Sequence, residues 1–478
     1  VSPNYLLLPS GVWFKHVRVE LSQAEVNKQK HFTAQKLLSE MMERIDWPAA
    51  RIRSFREAAL RSLIARLKIQ STWHAKRLAH LDPACVSERD LHSIPAMTKT
   101  DLMANFDEIV TDRRLSFSRC QDFLKIQVEE GGYLDDRYQV SVSGGSGGMP
   151  ALTVFSWQEA ARQWATFARF LYRWGNRTGN LKGSPKVATI TTPNPVFRAQ
   201  HVVNFFESAS SNLFPVTAPT DEMVSGLNRA RPDILMVYPS IIPRLASEAE
   251  AGRLRISPML VITAAEPLLT EHETALSRVW TCPVINGWGA TEVGGLAMGS
   301  GFEPGMLLMD DEVIVETVDR NGNPVVTGER AEKVFITPLF RSTLPLLRYQ
   351  MTDQLAILPG APRCGSGFRL ISNVECRLED YFKYDGGIEI SPDLFSTVLG
   401  QELEVLEYQI HQTKKGAHIL VTSNRAINSY RLSRAVSSKM HPFMDAEPVV
   451  TVRQVPRIER TGEAAKLKRF IPLKHANG

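Results

Sequence analysis

The sequence predicts an α/β fold: a large N-terminal domain with parallel β-sheets flanked by helices, a small β-barrel-like part, and a small α+β C-terminal domain. Three observations carry this. Between residues 186 and 286, short apolar runs rich in β-branched residues alternate with helix-like stretches, the pattern of parallel strands covered by helices. From about 311 the pattern becomes β-rich. Beyond about 380, two strand-like runs, a helix and a last strand form a unit of about 100 residues.

Each element has a local reason. Residues 1–80 read as helical, because apolar residues recur at three- and four-residue spacing among charges over 25–45 and 54–81. Thr98 opens a short helix with Asp101 three residues on as a capping-box partner. Residues 138–142, 186–191, 233–238, 259–263 and 283–286 read as strands, with helices over 158–174 and 198–206. The runs 312–318 and 333–337 flank the turn Asn321-Gly322-Asn323-Pro324, and 405–412 and 417–421 flank Lys414-Lys415-Gly416; both are hairpin signals. A helix over 426–440 and a strand over 449–454 complete the chain.

Composition limits the function. The 478 residues correspond to about three units at roughly 150 residues each. Hydrophobic residues at 43% and charged residues at 22% exclude disorder, collagen and coiled coil as whole-chain descriptions. The net charge of +5 is too small to argue for nucleic acid. It is concentrated in the tail, where Arg453, Arg457, Arg460, Lys466, Lys468, Arg469 and Lys474 face only Glu459 and Glu463. A solvated surface and an anion-handling end are both open readings. The five cysteines are widely spaced with no C-x-x-C, which supports neither a disulfide framework nor a zinc ribbon. No signal peptide and no membrane-length apolar stretch is visible, so a cytoplasmic protein is expected.

Three local features carry chemistry. Ser143-Gly144-Gly145-Ser146-Gly147-Gly148-Met149-Pro150 follows a strand-like run, and its glycines free backbone N–H groups to surround an anion. It lacks the Gly-Lys-Ser/Thr ending of a Walker A loop, and alone it also describes a flexible linker. Asn286-Gly287-Trp288-Gly289-Ala290-Thr291-Glu292 follows a buried strand: Trp288 offers a stacking surface and Glu292 a carboxylate for Mg²⁺. A glycine-rich turn with a solvated Glu is the alternative. In Arg348-Tyr349-Gln350-Met351-Thr352-Asp353, 61 residues after Glu292, the Asp suits a ribose diol, or a turn cap.

Taken in order, these segments resemble the adenylate-forming superfamily of acyl-CoA synthetases, adenylation domains and luciferases, in particular its phenylacetate–CoA ligase-like branch. Residues 143–150 are similar to its S-S-G-T-T-G-K-P phosphate loop, and residues 94–102 to its L-P-F-T-T-K-x-D-L segment. Ala265-Glu266-Pro267-Leu268 resembles the G-E-P-L turn beside the adenine, and 288–292 resembles Y-G-x-T-E with Trp288 as the stacking aromatic. Residues 348–353 resemble R-Y-R-T-x-D, Cys376-Arg377-Leu378-Glu379-Asp380 the G-R-x-D-D hinge, and 465–470 the G-K-x-R-R-F end. The resemblance covers about 94–470. There are departures: Met149 replaces a Lys, Gly144 a Ser, Cys376 a Gly, Glu379 an Asp, and Gly462 is separated from Lys466.

The resemblance implies a large adenylation domain at 1–376, with its helical start at 1–80 and the β-rich part at about 311–376. A hinge at 377–380 (Arg377, Glu379, Asp380) and a mobile domain at 381–478 follow. It implies an ATP-dependent, AMP-forming ligase that activates a small aromatic carboxylate and passes it to a thiol such as CoA. Lys466, Glu292 and Thr291 would be catalytic, with Glu292 on Mg²⁺. Ser143, Gly145, Ser146, Gly147, Gly148, Ala265, Glu266, Pro267, Trp288, Gly289, Asp353 and Arg377 would bind nucleotide. His201, Tyr238 and Ala290 are candidates for the acyl pocket. Some members of the branch carry a Cys/His zinc site, but residues 294–312 contain neither Cys nor His, so no zinc is expected. Partners would be small molecules, with a carrier protein as an option and neither nucleic acid nor membrane; a monomer or homodimer is expected. Two alternatives stay open: the same adenylation with an amine, carrier protein or nitrite-type oxyanion, and a nucleotide-binding relative without catalysis.

Overall fold

Strand–helix alternation through the middle of the chain builds one eight-stranded sheet. The structure, a computed structural model, describes residues 5–7, 13–15, 23–130, 132–143, 150–180, 185–192, 211–460 and 465–473. The helices used below are α1 (Gln23–Arg44), α2 (Ala49–Gln70), α3 (Lys99–Ala104), α4 (Trp157–Thr178), α5 (Thr220–Ala230), α6 (Ile242–Glu250), α7 (Thr270–Val279), α8 (Pro392–Leu399) and α9 (Ser429–Met440). Strands β1 (Tyr138–Val142) and β2 (Leu152–Ser156) pair antiparallel. The main sheet holds β3 (Val187–Thr191), β4 (Ser211–Pro215), β5 (Ile234–Val237), β6 (Leu260–Ala264), β7 (Val284–Ala290), β8 (Gly294–Met298) and β9 (Met306–Leu308), with Leu370–Ile371 at its edge. Running from β4 through β3, β5 and β6 to β7 the strands are parallel; β8, β9 and the edge strand then add antiparallel. Helices α5 to α7 are the crossovers, and β3 is buried along its whole length, as a sheet covered on both faces requires.

Next come three antiparallel strands, β10 (Val313–Val318), β11 (Lys333–Pro338) and β12 (Tyr349–Met351). The turn after β10 closes as its residues predict: Asp319 Oδ1 accepts from the amides of Asn321 and Asn323, and Gly322 takes a φ of 92°. The C-terminal part pairs β13 (Val405–Thr413) with β14 (Gly416–Ser423) through the Lys414-Lys415 turn. Strands β15 (Val449–Gln454) and β16 (Phe470–Ile471) add parallel on either side, and α8 and α9 cover the sheet. Its core, including Phe382, Phe395, Ile410, Ile419, Val436 and Phe470, draws only on residues from 382 onward.

Several expected boundaries move for local reasons. The helical start also holds a strand pair, Tyr5–Leu7 with Trp13–Lys15. The helix expected over 54–81 is two: Ser71 ends α2 and caps Thr72–Arg77 by accepting from the His74 amide. Helix α4 begins one residue early because Ser156 and Glu159 form a capping box, and it ends at Gly179 with φ of 70°. Helix α9 begins at Ser429 because Asn428 accepts from the Arg431 amide. Strand β4 was not expected from its polar start. Strand β7 runs four residues beyond 286, through Trp288 and Gly289, so that motif is mostly strand and not loop. The helix expected over 198–206 lies outside the described residues.

A buried ionic network ties the N-terminal helices to the sheet. Asp310, Asp311 and Glu312, consecutive and all buried, meet five arginines. Arg169 on α4 grips Asp311 with two bonds of 2.8 Å. Arg56 on α2 and Arg369 bind Asp310 at 2.9 and 2.6 Å, and Arg44 on α1 and Arg162 on α4 bind Glu312 at 3.0 and 2.5 Å. Asp311→Ala is expected to lower unfolding stability by about 3–5 kcal/mol in urea, since Arg169 would stay buried without its counter-charge. A loss below about 1 kcal/mol would show the network to be dispensable.

Candidate functional site

Loops leaving the carboxyl ends of parallel strands are the expected seat of a ligand in an open α/β sheet. Here β6 ends into Ala265-Glu266-Pro267 and β7 into Thr291-Glu292. One cleft of about 140 Å³ gathers Ala265, Glu266, Pro267, Trp288, Gly289, Asp353, Arg377, Glu379, Asp380 and Lys466, with Lys468 and Arg469 on its C-terminal side. Residues more than 200 positions apart thus line one wall-to-wall space, narrowed because the C-terminal segment forms its roof.

Close backbone packing shapes the Trp288–Glu292 segment. A Cβ on Gly289 would lie 2.3 Å from the Gly294 carbonyl oxygen, and Gly294 has a φ of 91°. Gln163, reaching from α4, holds the turn from outside: its Oε1 accepts from the Gly295 amide at 3.0 Å and its Nε2 donates to the Val293 carbonyl at 3.4 Å. Trp288 is buried, and its Nε1 has no hydrogen-bond partner among the described residues.

Glu292 is buried beside two donors. Lys99 Nζ lies 3.4 Å from its Oε1, and the Tyr349 hydroxyl donates to the same oxygen at 3.4 Å. Three sets of contacts deliver Lys99 there. Thr98 and Asp101 form the expected capping box. The Met97 amide donates to the Arg348 carbonyl at 2.9 Å and the Gln350 amide to the Met97 carbonyl at 2.8 Å. The Arg348 side chain donates to the Ile94 carbonyl at 2.5 Å and pairs with Glu316 at 3.0 Å. Within the 94–102 segment, nothing in the sequence singles out Lys99. Both contacts on Glu292 fall on Oε1, and among the described residues no three His, Cys, Asp or Glu side chains gather for a metal. A lone carboxylate fits Mg²⁺ that arrives on phosphate oxygens, the usual way that ion is held.

Asp353 and Arg377 face each other across an isolated antiparallel bridge, with Arg377 Nε 3.3 Å from Asp353 Oδ1. The Asp353 carboxylate, with Glu379 and Asp380 adding to it, holds the guanidinium above its usual range. Asp380 Oδ2 accepts from the Arg377 amide at 3.2 Å, and burial pushes its carboxyl up to about 6. Lys466, half-buried at the roof, has its pKa lowered by burial and by Arg377, against the pull of Glu266, Glu292 and Asp353. Ala265 and Ala465, both where the similar motifs carry Gly, have φ of 75° and 50°. Left-handed backbone costs an alanine roughly 1–2 kcal/mol, so surrounding contacts must hold both turns.

Other sequence candidates sit elsewhere. Tyr238 is buried in the core around α6 and does not line the cleft; its hydroxyl accepts from Thr191 Oγ1 at 3.0 Å. Ala290 closes β7 and Thr291 follows it, both half-buried. Ser143 is buried at the end of β1, its Oγ accepting from the Ala151 amide at 2.8 Å. Gly145, Ser146, Gly147, Gly148 and His201 lie outside the described residues. The Glu266 carboxylate, read from sequence as a nucleotide neighbour, accepts from the amides of Ser240 and Leu467 and pairs with Arg460. In the sequence Arg460 is one tail charge among seven. Among the described residues no helix is long and apolar enough to cross a membrane.

No protein-family model matches the chain. It is similar to phenylacetate-coenzyme A ligases: 28% identical over 211 residues to that of Pseudomonas putida, covering 41% of this chain and 46% of that protein. The Escherichia coli (strain K12) enzyme is 25% identical over 228 residues, covering 44% and 49%. The chain spans about half the length of these curated relatives. In three dimensions it resembles 2-hydroxyisobutyryl-CoA ligase in the postadenylation state with 2-HIB-AMP: TM-score 0.71, 17% identity, 90% of this chain and 91% of that one. An open conformation of that ligase, with 2-HIB-AMP and CoA, gives a TM-score of 0.55 at 16% identity, over 90% and 93%. At such identity the likeness is one of fold: the chain shares the α/β fold of that CoA ligase.

Asp380 gives a pH signature. Its folded pKa of about 6 lies above the ordinary 3.8, so between these values the folded chain holds a proton that the unfolded chain has released. This group's contribution to stability therefore falls as pH rises from about 4 to about 6. Urea titrations of wild type and Asp380→Asn should diverge across that window, and parallel profiles would contradict the assignment.

Proposed function

We propose that this protein is an ATP-dependent, AMP-forming ligase that activates a small aromatic carboxylate and transfers the acyl group to a thiol such as CoA. The observation that carries the reading is the convergence of Ala265–Pro267, Trp288, Asp353, Arg377 and Lys466 on one cleft beyond the strand ends. The similarity to phenylacetate-coenzyme A ligases supports it and suggests the aromatic acid.

In this reading ATP lies with its adenine between the 265–267 turn and Trp288, and its ribose diol on Asp353, which exchanges part of its pairing with Arg377. The substrate carboxylate attacks the α-phosphorus, the bond to the β-phosphate oxygen breaks, and pyrophosphate leaves. Charge gathers on the phosphoryl oxygens, so cations already in place matter most. Lys466, in the cleft with Glu266 and Asp353, would bridge the α-phosphate and the attacking oxygen. Glu292 would hold Mg²⁺, which neutralises phosphate charge when bound. Residues 381–478 would then turn about Arg377–Asp380, withdrawing Lys466 and admitting a thiolate to the acyl carbonyl, with AMP as leaving group.

Substrate-dependent ATP–pyrophosphate exchange tests this across aryl, acyl and amino acids and nitrite, with acceptors supplied afterwards. An aryl acid is expected to support exchange, followed by thioester with CoA. Exchange with nitrite alone, or none beside measurable ATP binding, would replace the reading. Lys466→Ala should lower adenylation by about 10² or more, the scale of one preorganised donor. Because the Lys466 pKa is lowered, the amine loses its proton earlier on the alkaline side than an ordinary lysine. Adenylation should decline there correspondingly early, and Lys466→Arg should move that limb to higher pH.

A further inference from the structure

We infer that Arg460 and Glu266 form a clamp that presents Lys466 to the cleft, with Arg460 as a positioning residue for acyl-adenylate formation alone. The inference rests on the ligase reading and adds a residue to it.

The geometry is specific to the two peptide groups flanking Lys466. On one side, Arg460 Nη1 donates to the Ala465 carbonyl at 3.4 Å. On the other, the Leu467 amide donates to Glu266 Oε1 at 2.8 Å. The two holding side chains are themselves paired, Arg460 Nη1 lying 3.3 Å from Glu266 Oε1. Lys466 therefore projects from a backbone gripped at both neighbours, and Ala465 keeps its φ of 50° within that grip. With the grip released, an alanine relaxes toward negative φ and the lysine turns away.

The clamp is anchored on both sides of the cleft. Arg460 Nη2 donates to Glu407 Oε1 at 2.6 Å and to Ser240 Oγ at 2.9 Å. Glu407 Oε2 also meets Arg244 of α6 at 3.1 Å, and Glu266 Oε2 accepts from the Ser240 amide at 3.2 Å. The side chains of Arg460, Glu266 and Glu407 are only 4%, 6% and 2% exposed. Glu266, Ser240 and Arg244 belong to loops and a helix of the large sheet, while Arg460 and Glu407 belong to the C-terminal part. A turn of that part about 377–380 separates the Arg460–Glu266 pair and dissolves the clamp. The contact is therefore available to adenylation and absent from acyl transfer.

The test divides the two half-reactions. Arg460→Met should lower acyl-adenylate formation on the order of 10²-fold, the scale of a misplaced reacting group, with KM for ATP within about threefold. Thioester formation from preformed acyl-adenylate and CoA should stay within about twofold, and Arg460→Lys should recover roughly tenfold of the loss. Equal losses in both half-reactions, or unchanged adenylation, would overturn the clamp. Urea unfolding identifies a variant that does not fold; Arg460→Lys then carries the comparison. A second measurement needs no ligase activity: the rate at which acetic anhydride labels Lys466 in the native protein, read by mass spectrometry against Lys468. Arg460→Met should speed Lys466 labelling about fivefold or more as its fixed, half-buried setting is lost. An unchanged rate overturns the clamp; a faster rate in a protein that forms no acyl-adenylate overturns the ligase reading and leaves the clamp standing.

Discussion

Three consecutive carboxylates, Asp310, Asp311 and Glu312, are the constraint on which the site's geometry depends. They sit between β9 and β10, where the large sheet passes into the β-rich part, and they draw arginines from α1, α2 and α4 and Arg369 from just before the edge strand. Charges buried this deeply are tolerated only when each is paired, so the helices can occupy one position against the sheet. Helix α4 is the one that matters for function. Arg162 and Arg169 lock it to the triplet, and Gln163 between them grips the turn after Thr291 and Glu292. Structural charge and candidate chemistry are one helix face apart.

Opposite charges are paired in and around the cleft. Glu292, Asp353 and Glu266 each stand beside a cation: Lys99, Arg377 and Arg460. Lys466 differs, since its charge is opposed by burial and by Arg377, leaving it prepared to gain from an anion placed before it.

Ala265 and Ala465 stand where the similar motifs carry glycine. Each takes a left-handed backbone that glycine adopts freely. The strain is contained by neighbours: the residue after Ala265 supplies the carboxylate, and Ala465 the carbonyl, of the Arg460 clamp. Replacing glycine here narrows the chain's choices in both turns, so the altered Gly–Lys spacing at the tail does not keep Lys466 from the cleft.

Much of the fold was written locally. Continuous apolar runs predicted β3, β5 and β6 within a residue or two, because strands buried on both faces tolerate little else. Turn chemistry at Asn321-Gly322 and Lys414-Lys415-Gly416 marked both hairpins, and the segments around Ala265, Trp288, Asp353 and Lys466, each singled out along the chain, meet in one cleft. Local signals could not say that β7 continues through Trp288, since glycine reads as a turn until a partner strand packs against it. Nor could they bring Lys99 to Glu292, Gln163 to Gly295 or Arg460 to Glu266, pairs separated by 132 to 194 positions in the latter two cases. Such pairings follow from which surfaces the sheet and helices bury together, and long-range electrostatics leaves no periodic trace along a chain. The sequence by itself determined the elements and the chemical kinds of the candidate residues. Only the tertiary structure decided which charges meet, because burial makes each of them require a particular partner.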